Sequence, residues 1–160
     1  MRWCLSLGAS PSASSPSGDT VMHRAVSYAP LKVVKLLVEH GGVVKNTNLL
    51  AHAVYSWGQA LSEERLDVAK YLLDHGARVD AFWAENRNSE VPTGDLVFVG
   101  EMNALHFAIV SGKEEVVELL LEHGADRNLK TRSSWKTNWE MVSCVELARL
   151  CKFENRVAGD

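Results

Sequence analysis

The stretch from Asn103 to Asn128, NALHFAIVSGKEEVVELLLEHGADRN, predicts two short helices joined by a turn. Asn103 is a suitable N-cap for the first helix, and Gly112 ends that helix. The second helix carries a wide apolar stripe opposite its glutamates, and Gly124 supplies the left-handed residue that often closes a helix. Such a hairpin cannot bury its apolar faces alone, so the stretch implies neighbours of the same shape.

Further copies of this pattern lie on both sides. The segment from Thr20 to Gly41 repeats the opening and the close with the same internal spacing, a weaker copy runs from Asn48 to Gly76, and another opens at Ser143. The pattern resembles the ankyrin repeat, which opens T-P-L-H-x-A and closes L-L-L-x-x-G-A-D-x-N. The resemblance covers about 20–157, and it implies an all-α solenoid of stacked helix-turn-helix units with β-hairpin fingers.

The predicted organisation is a tail followed by one domain. Residues 1–18 are rich in Ser and Pro and are expected to be flexible. An ankyrin-repeat domain is expected over 19–160, and its last copy stops before a full outer helix, either as an abbreviated cap or as part of a longer array. The expected repeats cover about 19–47, 48–80 and 102–128, with a partial one at 143–160 and insertions at 81–101 and 129–142.

The two insertions depart most from the family pattern. The first reads as a long β-hairpin, with Ala81–Ala84 rising and Leu96–Val99 returning, because β-branched and aromatic residues flank a turn sequence. The second contains Trp135 and Trp139 beside several cations. These tryptophans suit either an exposed anchor for a partner or an apolar cap on the stack.

Composition narrows the class of protein. The chain has 160 residues, 46% of them hydrophobic, and a net charge of -3 without a basic block, which argues against nucleic-acid binding. No apolar run approaches the roughly 20 residues that span a bilayer. Three cysteines do not make a disulfide framework, so we expect a cytoplasmic or nuclear protein and not a secreted one. We expect a monomer without membrane contact.

The six histidines follow the repeat and do not form a metal-ligand pattern. His40, His75 and His123 each precede a helix-ending Gly, where a protonated imidazole favours the helix dipole. The family resemblance implies that His23 and His106 hydrogen-bond between adjacent repeats, whereas an offset His52 is expected to face outward. With no nucleophile motif or phosphate loop either, the sequence predicts no enzyme, no metal site and no cofactor.

The remaining function is protein binding, which the ankyrin resemblance implies. Partners of such domains dock on the concave surface made by the inner helices and fingers. Tyr28, Tyr55, Trp83 and Phe107 are predicted to form an aromatic track along it, although packing between adjacent repeats is an equal alternative for Phe107 and Phe82. The predicted partner-binding residues are Arg24, Tyr28, Tyr55, Trp57, Phe82, Trp83, Phe98, Phe107 and Trp135.

Two other functions stay open at this point. In one, the insertions 81–101 and 129–142 close a pocket that binds a small molecule or carries out an unusual reaction. In the other, a thin C-terminal cap exposes an apolar end through which the chain associates with itself.

Overall fold

The computed structural model describes residues 2–16, 18–55, 63–85, 102–132 and 141–151. Within these ranges the chain is mostly helical, and its strands are short. The elements are α1 (Arg2–Ser6), α2 (Val21–Tyr28), α3 (Leu31–Glu39), α4 (Leu49–Tyr55), α5 (Glu63–Asp74), α6 (Ala104–Val110), α7 (Glu114–Glu122), β1 (Lys130–Arg132), β2 (Met141–Ser143) and α8 (Cys144–Leu150).

The helices form two layers. The inner helices α2, α4, α6 and α8 pack each against the next, and the outer helices α3, α5 and α7 form a parallel series behind them. Leu50, Leu105 and Leu147, one from each of three inner helices, are fully buried. The predicted solenoid of stacked helical hairpins is confirmed.

Local signals in the sequence explain where the inner helices begin. Thr20, Asn103 and Ser143 each accept a hydrogen bond from the backbone N–H three residues later, and the side chain at that later position bonds back to the cap. This reciprocal capping box satisfies two amide donors that a helix start otherwise leaves open. The three helices therefore start at the same point of the repeat.

The described part of the N-terminal segment contains a helix and a closing turn. After α1, the amides of Gly8 and Ala9 donate to the carbonyls of Leu5 and Cys4, and Gly8 has a φ of 87°. The end of α7 shows the same pair of bonds around Gly124, so residues 4–9 close like an outer helix. Leu5 also packs against the core. The structure thus places a helix and a closing turn in a segment whose Ser and Pro content indicated neither, while the flexibility of the segment stays a prediction.

The second insertion is a finger between repeats. Strands β1 and β2 pair antiparallel, with Lys130 opposite Ser143 and Arg132 opposite Met141. The fully buried Thr131 sits opposite Val142, so the base of this hairpin belongs to the packed structure. Sequence reasoning treated 129–142 as a plain insertion, because the short strand sequences KTR and MVS carry almost no alternating apolar pattern.

The first insertion differs from the predicted ribbon at its start. Phe82 makes a single antiparallel bridge to Asn103, and the chain then turns, with the amide of Glu85 donating to the carbonyl of Phe82. Arg78 and Glu85 form an ion pair across this turn. A rising strand over Ala81–Ala84 is therefore wrong, and the predicted tip and returning strand lie outside the described residues.

Candidate partner-binding surface

Two opening histidines join neighbouring repeats. The Nδ1 atom of His106 accepts the Asn103 amide at 3.3 Å, and its Nε2 atom donates to the Leu129 carbonyl at 3.2 Å. His23 does the same in the first repeat, with its Nε2 atom 3.1 Å from the Asn48 side-chain oxygen. These contacts require the tautomer that carries its proton on Nε2. The bonding between repeats that the resemblance implied is confirmed.

Burial makes one of these imidazoles resistant to protonation. His106 is completely buried, and loss of hydration lowers its pKa from 6.5 to about 4, against the opposing effect of the Leu129 carbonyl. The side chain is therefore neutral near pH 7. It works as a fixed hydrogen-bonding joint and not as a charged group.

The second repeat uses a different arrangement because its histidine is displaced by one position. Asn48 occupies the cap position, and its amide donates to the Trp83 carbonyl at 2.8 Å while its oxygen accepts from His23. The Nε2 atom of His52 donates to the same Trp83 carbonyl at 3.1 Å. His52 is 4% exposed, so the expectation that it faces outward is wrong. It anchors the start of the first insertion.

An aromatic series runs beneath the surface between the inner helices. The Tyr55 ring lies 5.2 Å from the Trp83 ring and 4.8 Å from the Phe107 ring, centroid to centroid. The His52 ring stacks on the Trp83 ring, with 5.0 Å between the centroids. Three of the four rings of the predicted track, those of Tyr55, Trp83 and Phe107, are thus neighbours, at separations typical of favourable aromatic pairs.

The exposure predicted for much of that track is wrong. Trp83 is 4% exposed and Phe107 is 5% exposed, and Tyr55 and Phe82 are half-buried. The physical reason is that rings of successive repeats pack against one another, as Trp83 and Phe107 do against Tyr55, which sequence periodicity cannot show. Partner contact through these side chains stays a prediction, and it is limited to the edges that the stack leaves open.

The exposed end of the surface is formed by α2. Tyr28 is 57% exposed, and the guanidinium carbon of Arg24 lies 5.7 Å from the centre of the Tyr28 ring, which is cation–π distance. Both residues border a small cleft that opens between α2, α4 and the start of the first insertion. The cleft is lined by Asp19, His23, Arg24, Ser27, Tyr28, His52, Tyr55 and Trp83.

Two cations brace the inner helices from the following repeat. Arg65 on α5 is buried and donates to the carbonyls of Val26 and Ala29, at the end of α2. Lys113 donates to the Val54 carbonyl at 3.0 Å, at the end of α4, and burial followed by repulsion from Arg65 lowers the Lys113 pKa. Both satisfy the open carbonyls and the negative end of a helix.

Sequence reasoning missed both cations. The two occupy equivalent positions, each ten residues before the closing histidine of its repeat, His75 or His123. The first repeat has Pro30 at this position, so the cation does not recur through the array. Their acceptors are also 39 and 59 residues away for Val26 and Val54.

The closing histidines have a local role. The Nδ1 atoms of His40, His75 and His123 each lie 2.8 Å from the carbonyl four residues earlier. An imidazole bonded in this way satisfies an open helix-end carbonyl whether neutral or protonated. Position in the repeat therefore accounts for these three side chains without a ligand.

The described ranges also bear on metal binding, membrane spanning and the remaining predicted contact residues. There, no group of three or more His, Cys, Asp or Glu side chains is placed to hold a metal ion. No described helix is both long and apolar enough to span a bilayer. The predicted contact residues Trp57, Phe98 and Trp135 lie outside the described residues.

The fold and the bonding between repeats define a helical-repeat protein with an open inner-helix surface. The family model that describes ankyrin repeats in three copies matches residues 1–83 and 59–131. These matches cover more than half of the chain, and the chain belongs to the ankyrin-repeat family. The match from residue 1 agrees with the helix closure at residues 4–9.

The chain is similar in sequence to two kinds of curated protein, an ankyrin repeat protein and a cation channel. The chain is 26% identical, over 144 residues, to an ankyrin repeat protein of Rickettsia felis, covering 89% of this chain and 58% of that protein. It is 31% identical, over 112 residues, to the transient receptor potential cation channel subfamily V member 5 of Rattus norvegicus, covering 68% of this chain and 15% of the channel. The chain thus spans 58% and 15% of the lengths of these relatives.

Proposed function

We propose that this chain binds a partner protein through the surface formed by its inner helices and fingers, with Arg24 and Tyr28 at the centre of the contact. Ankyrin repeats are generally protein–protein interaction modules and are typically non-enzymatic. The observation that carries the proposal is the exposed pair of Arg24 and Tyr28 beside the cleft between α2 and α4. Tyr and Arg are among the residue types that dominate binding energy at protein interfaces.

The structure beneath this pair supports binding with little rearrangement. Ser27 donates to the carbonyls of His23 and His52, and Trp83 contacts the rings of His52 and Tyr55. A surface fixed in this way loses little conformational entropy when a partner docks. The half-buried Tyr55 extends the contact toward the third repeat.

The test compares two double variants in affinity capture from a lysate of the source cell. Arg24→Ala/Tyr28→Ala removes the proposed contact without touching the core. Lys32→Ala/Lys70→Ala is the matched control, because both lysines are exposed on outer helices. We expect a protein captured by the wild type and the lysine variant to be lost with the Arg24/Tyr28 variant. Capture that depends on the lysines, or on neither pair, would refute this surface as the binding site.

A further inference from the structure

Arg24 is exceptional among residues at its position in the repeat. Counted from the helix cap, the equivalent residues in the later repeats are His52, Phe107 and Leu147, which are 4%, 5% and 1% exposed. Contact with the preceding repeat accounts for two of these, since His52 lies 4.5 Å from the His23 ring and Phe107 lies against Tyr55. Arg24 is exposed instead. A position that elsewhere serves packing here presents a cation at the cleft.

The Arg24 guanidinium is held in place but keeps its hydrogen-bonding capacity. It lies over the Tyr28 ring, and within the described part of the chain it makes neither an ion pair nor a hydrogen bond. The Tyr28 hydroxyl likewise has no hydrogen bond to a described residue. A guanidinium has five N–H donors in a planar fork, and a phenol adds one more donor. The corner therefore offers several donors side by side.

Further ionisable side chains border the cleft beside those donors. Both ring nitrogens of His23 are engaged, one with the Thr20 amide and one with the Asn48 side chain. Asp19 is the carboxylate that borders the cleft. A ligand matched to this corner accepts hydrogen bonds from these donors and carries a negative charge that pairs with Arg24. A single charge is favoured over the double charge of a phosphate, because Asp19 repels the phosphate more strongly.

We propose that the partner places an Asp or Glu side chain of an extended segment against Arg24 and Tyr28. The carboxylate accepts the guanidinium fork, as arginine–carboxylate pairs commonly do, and the Tyr28 hydroxyl donates to the same group. This inference rests on the proposed protein-binding function and adds the chemistry of the recognised residue. Charge complementarity at this single corner sets the register of the bound segment.

The test uses random peptides of about twelve residues displayed on phage as the probe, selected separately on three proteins. These are the wild type, Arg24→Glu, and Lys32→Glu, which makes the same charge change at an exposed outer-helix position. We expect one recurring acidic position in peptides selected on the wild type and on Lys32→Glu. On Arg24→Glu that position is expected to change to Lys or Arg.

A second measurement quantifies the contact with one selected peptide. Replacing its acidic residue by the matching amide should weaken binding to the wild type by about fivefold, the upper range for a partly exposed ion pair. The same replacement should have no effect on binding to Arg24→Ala. Circular dichroism establishes that each variant keeps its helices.

The outcomes separate this inference from the proposed function. Peptides that lose affinity for Arg24→Ala/Tyr28→Ala, yet show no acidic preference, would overturn the carboxylate contact and leave the binding surface intact. The same sequence preference on Arg24→Glu as on the wild type would also overturn it. Selected peptides that bind the Arg24/Tyr28 variant unchanged, or a selection that yields no binder, would count against both.

Discussion

Acid should destabilise this protein through one buried imidazole. The His106 pKa is lowered from 6.5 to about 4 in the folded chain, so the unfolded chain binds the proton more readily between these values. Stability from this group is fully present above pH 6.5 and is lost as the pH falls toward 4. At about pH 5 the expected loss is about 2 kcal/mol relative to pH 7, and below the folded pKa it reaches about 3 kcal/mol.

The assay is urea denaturation at pH 7 and pH 5 for the wild type and for His106→Gln. Other groups also titrate in this range, including Asp80, whose pKa is raised by burial, but their contributions are common to both proteins. The wild type should therefore lose about 2 kcal/mol more than the variant over this interval. A proton NMR titration of the His106 ring reads the same pKa directly.

Either of two results would refute this reasoning. Equal losses in the wild type and His106→Gln would show that the imidazole does not couple protonation to folding. A ring pKa near 6.5 in the folded protein would show that His106 is hydrated. Either result would mean that the His106 imidazole is not a fixed, neutral hydrogen-bonding group between the third repeat and Leu129 of the following finger.

Three further perturbations probe separate parts of the structure. Trp83→Ala should lower the free energy of unfolding in urea by about 3 kcal/mol or more, while Tyr28→Ala should change it by at most about 0.5 kcal/mol, and similar effects for both would contradict the burial difference. Lys113→Met should cost about 1 kcal/mol by removing a donor from the end of α4, and an unchanged unfolding midpoint would show that water replaces it. Iodoacetamide should label the exposed Cys4 and spare the buried Cys144, whose pKa burial raises to about 12, until the protein unfolds; equal labelling of native protein in peptide mass spectrometry would contradict this.

The sequence predicts well what depends on nearby residues. The helices of the first and third repeats follow from apolar spacing, from caps at Thr20 and Asn103, and from closing residues such as Gly124. These signals act within one or two helical turns. They are therefore readable without knowledge of the three-dimensional neighbours.

The surface was harder to predict because exposure depends on what covers a residue. His52 and Trp83 are polar or amphipathic residues in segments that depart from the repeat. Both are buried, and the hydrogen bond between them joins residues that are 31 positions apart in the sequence. Arg24 and Tyr28 were predicted as contact residues on the same basis as Phe107. Only the structure shows that Arg24 and Tyr28 of the first repeat are exposed, whereas Phe107 of the third repeat is buried.

The N-terminal segment shows a different limit. Its Leu7-Gly8-Ala9 sequence matches the helix close at His123-Gly124-Ala125 in the two residues that matter, but Ser and Pro dominate its composition. Composition averages over a window, whereas a helix close needs one glycine at one position. A comparison with the Gly-Ala pairs that follow α5 and α7, where the glycine adopts a positive φ, would have identified this closing turn.

The most direct test of the account places a photo-crosslinking amino acid at position 28 and, as a control, at position 70 on the outer face of α5. Both positions are exposed, so the substitution leaves the core unchanged. After illumination in a lysate of the source cell, mass spectrometry should identify a partner protein joined at position 28 and absent from position 70. Crosslinks to the same protein at position 70 alone, or at neither position, would contradict the claim that the Arg24 and Tyr28 surface binds the partner.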